Sequence, residues 1–186
     1  VKGHLDVVKI FMENAAALSI DLNTMDNFSL TVFHWTCIEG HSDIIKILME
    51  NAAILGIDLN TIDSNGLTGF HHACELGHLD VVKFFMEKTK VNAKTKSGKS
   101  DFHLACKRDN SDVVTIFMEN AAALRIDLNI KDNDDFSGFL YACLYGHANV
   151  VKILMANAAI LGIDVNAKSK SGKSAFHLAC KRGHLD

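Results

Sequence analysis

The sequence predicts an all-α solenoid of stacked helix-turn-helix units with extended β-turn or hairpin loops, and three regularities predict it. Gly-His pairs recur at Gly3-His4, Gly40-His41, Gly77-His78, Gly146-His147 and Gly183-His184, with Asp109-Asn110 standing in the same place in one further copy. Cys37, Cys74, Cys106, Cys143 and Cys180 keep the same register, at spacings of 37, 32, 37 and 37 residues. Within a copy, apolar residues such as Phe102, Ala105 and Cys106 fall at i, i+3 and i+4, one face of a short helix. A period of this size marks a supersecondary unit that cannot bury its apolar face alone, so neighbours must stack.

Taken in order, the chain reads as a half unit at 1–25, full units at 26–62, 63–94, 95–131 and 132–168, and a half unit at 169–186. The first half unit holds a helix from Asp6 to Leu18 whose apolar face is expected at Val8, Phe11, Ala15 and Leu18. Each later copy opens with a hydroxyl, at Thr31, Thr68, Ser100, Ser137 or Ser174, placed to cap a short first helix. After the Gly-His turn, Asp43, Asp80 and Asp112 begin a second helix where its dipole favours negative charge. An IDLN-type segment and a polar turn, Asn65-Gly66 or Ser97-Gly98, complete the unit. The last half unit carries a helix from Phe176 to Arg182.

The segments TVFHWT (31–36), TGFHHA, SDFHLA, SGFLYA and SAFHLA make the chain resemble the ankyrin repeats, whose signature is Thr-Pro-Leu-His-x-Ala in a unit of about 33 residues. The resemblance covers the whole chain. It departs from the family in two ways. There is no proline, so no first helix begins with a pre-set φ, and most copies carry four extra residues in ENAAALSIDLN-type segments. Four residues add about one helical turn, roughly 6 Å, and Gly56 and Gly162 then fall where a left-handed residue would end the longer helix. The copy ending Glu87-Lys88-Thr89-Lys90-Val91 lacks the insert and is expected to leave a notch in the outer helix layer.

Several chemistries are disfavoured by the same register. Nine of the ten histidines recur unit by unit: His34, His71, His103 and His177 in the first helix, His4, His41, His78, His147 and His184 in the turn. Only His72 stands outside the pattern. A catalytic group is placed once beside unlike partners, whereas a residue present in every unit has a per-unit job such as capping a helix. The cysteines are odd in number and lack CxxC spacing, so they are expected to be free, small buried residues in a reducing compartment. Met12, Met49, Met86, Met118 and Met155 form a stripe read as core filler. The runs Ala93–Ser100 and Ala167–Ser174 look like relaxed phosphate loops, but Gly98 and Gly172 match Gly66 as the turn glycine. No catalytic residue, metal ligand or cofactor is therefore assigned.

A hydrophobic content of 48%, a net charge of −3 and the lack of an apolar run near 18 residues describe an ordinary soluble chain without a membrane partner. The broken units at both ends suggest a fragment of a longer protein. An intracellular location is expected, first in the cytoplasm, with the nucleus left open.

The resemblance implies a non-catalytic protein-interaction scaffold that binds through its turn tips and the exposed edge of each first helix. Those positions are Met25, Phe28, Leu30 and Ile38, then Ile62, Leu67 and Leu76, then Lys94, Lys96, Lys99, Lys107 and Arg108. Phe136, Leu144 and Tyr145 follow, and Lys168, Lys170, Lys173, Lys181 and Arg182 end the set. Apolar first and basic later, with the basic side chains facing solvent, this face suits an acidic protein segment with a few hydrophobic anchors. Recent duplication of one unit is another origin for the lysines. Nucleic acid is disfavoured because no aromatic residue is interleaved with them. The rival reading is a substrate-recruiting module of a larger enzyme. The incomplete terminal units would also expose complementary apolar surfaces, allowing head-to-tail contacts between copies.

Overall fold

A computed structural model describes residues 4–88 and 93–182 of the chain. Gly3, Thr89–Val91 and Gly183-His184 lie outside the described residues, as does the side chain of Arg182. Ten α-helices and no β-strand are found among the described residues. In order they are α1 (Leu5–Leu18), α2 (Val32–Glu39), α3 (Ser42–Leu55), α4 (Gly69–Leu76), α5 (Leu79–Lys88), α6 (Asp101–Lys107), α7 (Ser111–Leu124), α8 (Gly138–Tyr145), α9 (Ala148–Leu161) and α10 (Ala175–Arg182). The short even-numbered helices pack on one another in one layer, and α1, α3, α5, α7 and α9 pack in a second. The extended loops between pairs are held by turns, with single antiparallel bridges at Lys94–Ser100 and Lys168–Ser174.

The recurring hydroxyl and histidine form a reciprocal cap. Thr31 Oγ1 accepts from His34 N at 3.4 Å, and His34 Nδ1 accepts from Thr31 N at 3.2 Å. Thr68 with His71 repeats both bonds, so two orphan backbone donors are satisfied at once. Because Nδ1 accepts, Nε2 carries the ring proton. It donates from His34 to Leu67 O at 3.2 Å and from His103 to Phe136 O at 2.8 Å, each in the next turn. The turn residues tie backwards instead: His78 Nε2 donates to Ile38 O, His147 Nε2 to Lys107 O, and Asn110 Nδ2, replacing a histidine, to Cys74 O. The histidines of two short helices thus bond the next turn, and the turn residues His78, Asn110 and His147 bond the unit before, which is the per-unit job expected of a repeated histidine; His71 keeps its cap, but its Nε2 makes no such bond among the described residues.

The four-residue insert lengthens the helix rather than looping out. α1, α3, α7 and α9 each run 14 residues. α5 spans 10 described residues, although the end of the segment read as a notch lies outside the described residues. Gly56 and Gly162 end their helices in the left-handed region at φ 64° and 66°; Ser19 and Arg125 take the same conformation at φ 54° without glycine's freedom.

The core lies between the layers and is threaded by phenyl rings. Phe33 to Phe85, Phe85 to Phe70, Phe70 to Phe117 and Phe117 to Phe102 have centroids 5.8, 4.9, 6.3 and 5.8 Å apart. The ends correct three expectations. On α1 the buried residues are Met12 and Ala15, while Phe11 is 53% and Leu18 68% exposed, because α1 packs chiefly on α3 and its Phe11 side faces an open groove. Met155 is exposed where Met12, Met86 and Met118 are buried. Cys180 is exposed, whereas Cys37, Cys74, Cys106 and Cys143 are buried and free, their thiols pushed up by burial.

Candidate protein-binding face

The turn tips are built around one residue per unit. Asp26 Oδ1 accepts from the backbone of Phe28 and Leu30, Asp63 Oδ1 from Asn65 and Leu67, and Asp132 Oδ1 from Asp134 and Phe136, all at 2.8 to 3.0 Å. The second oxygen reaches the short helix. Trp35 Nε1 donates to Asp26 Oδ2 at 2.9 Å, His72 Nε2 lies 3.1 Å from Asp63 Oδ2, and Tyr141 Oη donates to Asp132 Oδ2 at 2.6 Å. Burial opposes ionisation of Asp63 and Asp132, but these bonds outweigh it and hold both carboxyls below the usual range. Where the turn residue is Thr95 or Ser169, with a single oxygen, the residue nine positions on is Leu104 or Leu178. His72 therefore has a register place after all, shared with Trp35 and Tyr141. The signal was present in the sequence as a donor nine residues after each turn aspartate.

These turns set the predicted face at different depths. Met25, Phe28, Ile62, Leu76 and Tyr145 are exposed, Phe28 by 69%. Leu30, Ile38, Leu67, Phe136 and Leu144 are partly buried. In the first basic set Lys94, Lys96 and Arg108 face solvent as expected, while Lys99 and Lys107 are partly buried, and four of the five are engaged within the chain. Lys94 is exposed, but Lys96 Nζ donates to Ser64 O at 2.8 Å. Lys99 Nζ donates to Ser97 Oγ, lies 3.8 Å from Asp132 Oδ2 and sits 5.7 Å from the Tyr141 ring centre. Lys107 Nζ and Arg108 Nη2 are 3.8 and 2.8 Å from Glu75 Oε1. Acidic residues supplied by the neighbouring units account for this, and the register could not show that they reach across.

A family model described as ankyrin repeats (3 copies) matches residues 1–96, 51–132 and 102–186. The chain belongs to the ankyrin-repeat family. Ankyrin repeats are in general protein-interaction modules. Comparison with curated proteins finds no match. No helix among the described residues is long and apolar enough to cross a membrane.

The last basic set of this ankyrin array is unlike the first. Lys168, Lys170 and Lys181 are exposed, Lys173 is partly so, and none forms an ion pair among the described residues. Three of them, Lys170, Lys173 and Lys181, rim a cavity of about 470 Å³ floored by Phe136, Leu144 and Leu178, with Asp134 at its edge. Lys170 N donates to Asp134 O at 2.9 Å, fixing the turn that presents them. Leu178 was absent from the predicted set because its spacing reads as core, and it is buried. Such a site can take one apolar side chain while the lysines meet negative charge around it.

Proposed function

We propose that the protein is a non-catalytic interaction scaffold whose partner is an acidic protein segment anchored by an apolar side chain. One observation carries this reading. Three cations that form no ion pair among the described residues rim an apolar cavity built by α8, α10 and the turns before them, and an anionic segment with one Phe or Leu satisfies both features. The repeated histidines support a non-catalytic role, since His34, His71, His103, His177, His78 and His147 each make a structural bond. An intracellular location accords with the five free thiols. Titrating a fluorescent twelve-residue peptide of Asp and Glu with one central Phe should give saturable binding that weakens with salt. Replacing Lys170, Lys173 and Lys181 by Glu together should cost at least tenfold in Kd, and replacing the peptide's Phe by Ser should cost about as much. Equal affinity for the charge-reversed protein overturns the reading.

A second reading has its own observation. Beside α1 lies a groove of about 460 Å³ lined by Phe11, Leu22, Met25, Leu30, Val32 and Trp35, while α10 exposes Phe176 by 79%. We propose that α10 of one copy can seat in this groove on another. Light scattering should then show a mass that rises with concentration and falls back on Phe176→Ser; a constant monomer mass rejects it.

A further inference from the structure

We propose that Asp101 keeps its proton at neutral pH and that losing it opens the seam between α4 and α6. Asp101 opens α6 at a place where the other short helices carry Val32, Gly69, Gly138 and Ala175. That place lies against the preceding short helix: a Cβ on Gly69 would come within 2.8 Å of Cys37 Sγ, and one on Gly138 within 2.8 Å of Phe102. Asp101 puts a carboxyl into this seam at 1% exposure. Neither of its oxygens has a hydrogen-bond partner among the described residues. The polar group facing it is His71 Nε2, 3.7 Å from Oδ1 and likewise unpartnered.

His71 cannot supply a compensating charge. Its Nδ1 accepts from Thr68 N at 3.0 Å and lies 2.9 Å from Thr68 Oγ1, so a proton there would break the cap. Burial, against a smaller pull from the Ala93 backbone, holds its pKa down to about 4. The other ionisable groups nearby are committed or neutral. On α4 and its turn, His72 is with Asp63, and Glu75 is with Lys107 and Arg108. The thiols of Cys74 and, from α2, Cys37 are pushed up by burial, and His34 on α2 is pushed down by it. On α6, His103 is pushed down by burial, and from α8 Tyr141 and Cys143 are pushed up by it. α5 and α7 turn Val81, Val82, Val113 and Val114 inward and leave Asp80, Lys83 and Asp112 exposed. With no cation to meet it, a carboxylate here is disfavoured by burial, which pushes Asp101 up to about 8.

The sign of the pH effect follows from counting protons. Unfolded, the aspartate titrates near 3.8 and the histidine near 6.5. Between about pH 4 and 6.5 both states hold one proton on these two residues, on Asp101 when folded and on His71 when unfolded, so the two add no slope. From pH 6.5 to 8 the folded state holds one and the unfolded state none. The contribution of this pair to stability therefore falls as pH rises, by at most about tenfold in the unfolding constant per pH unit and by about eightfold across the window, because each group is half-titrated at its own end of it. Above 8 the slope vanishes. A seam that parts there separates Glu75 from Lys107 and Arg108, exposing two further cations on the binding face.

Urea unfolding of the whole chain under reducing conditions at pH 6.5 and 8.0 tests this. The wild-type constant should gain about 15-fold over that of Asp101→Gly between the two, and Asp101→Gly, which restores the residue of Gly69 and Gly138, should lose the rise. Asp101→Asn, which keeps the volume, should do the same. Parallel profiles in wild type and variants overturn the proposal. The carboxyl ¹³C shift of Asp101 in the wild-type protein at pH 7 decides independently of any variant: a protonated acid upholds it and a carboxylate overturns it.

Discussion

Ala93–Arg108 and Ala167–Arg182 are the same sequence but for Thr95 against Ser169 and Asp101 against Ala175, yet they behave as core in one place and surface in the other. In the first, Phe102 is 1% exposed, His103 and Cys106 are fully buried, and Lys96, Lys99, Lys107 and Arg108 are engaged by Ser64, Asp132 and Glu75. In the second, Phe176, His177 and Cys180 are exposed, and Lys170 and Lys181 stand at a cavity without an ion pair among the described residues. The residues do not differ; the neighbours do. In a stack, each unit's energetics are set by the faces on either side, so a residue's role is a property of its position in the array.

The sharpest test of this comparison removes the same ring twice. Phe102 packs against Phe117 inside the phenyl spine, and Phe102→Ala should cost about 3–5 kcal/mol through lost burial and the cavity left behind. Phe176→Ala should change stability by no more than about 0.5 kcal/mol. Chemical denaturation of the two variants measures both, and similar losses would mean that α10 is covered as α6 is.

A smaller contrast lies in the histidines. His103 spans Ser100 N, at 3.0 Å, and Phe136 O, at 2.8 Å, so His103→Ala orphans two polar groups in a buried junction and should cost about 2–3 kcal/mol. His177 lies 2.7 Å from Ser174 Oγ in an exposed helix start, and His177→Ala should cost about 1 kcal/mol or less. Both alanine variants can be compared in one urea series. Equal losses would show that the cap, rather than the bond to the next turn, carries the effect.

Much of this was legible in the chain itself. Thr31 and Thr68 read as caps, Asp43 and Asp112 as first-turn acids, and Gly56 and Gly162 as the ends of lengthened helices, because each depends on chemistry within a few residues. What the sequence hid was reach between units. Periodicity gave α1 an apolar stripe but could not say that Phe11 and Leu18 would lack a cover. The link from Asp132 to Tyr141 spans nine residues and folds back from turn to helix, a distance outside the helical spacings that guide such a reading. Lys99, Lys107 and Arg108 looked like free charges for a different reason: their counter-ions, Asp132 and Glu75, belong to the units before and after.

The smallest expected effect concerns those charges, and it decides which basic set is available to a partner. Arg108 Nε and Nη2 both approach Glu75 Oε1, at 2.9 and 2.8 Å, and Lys107 adds a weaker contact at 3.8 Å. Side chains this open to water gain little from pairing, so changing Lys107 and Arg108 to Glu should destabilise by about 1 kcal/mol, and high salt should shrink the loss. Lys170 and Lys181 hold no carboxylate among the described residues, so reversing them should leave stability within about 0.5 kcal/mol while weakening the acidic peptide. Measured together by urea unfolding and peptide titration, the two double variants separate structural from available charge. A large loss of peptide affinity from the Lys107 and Arg108 variant, equal to that from Lys170 and Lys181, would show that Glu75 releases its partners readily and that the two near-identical segments act as one surface.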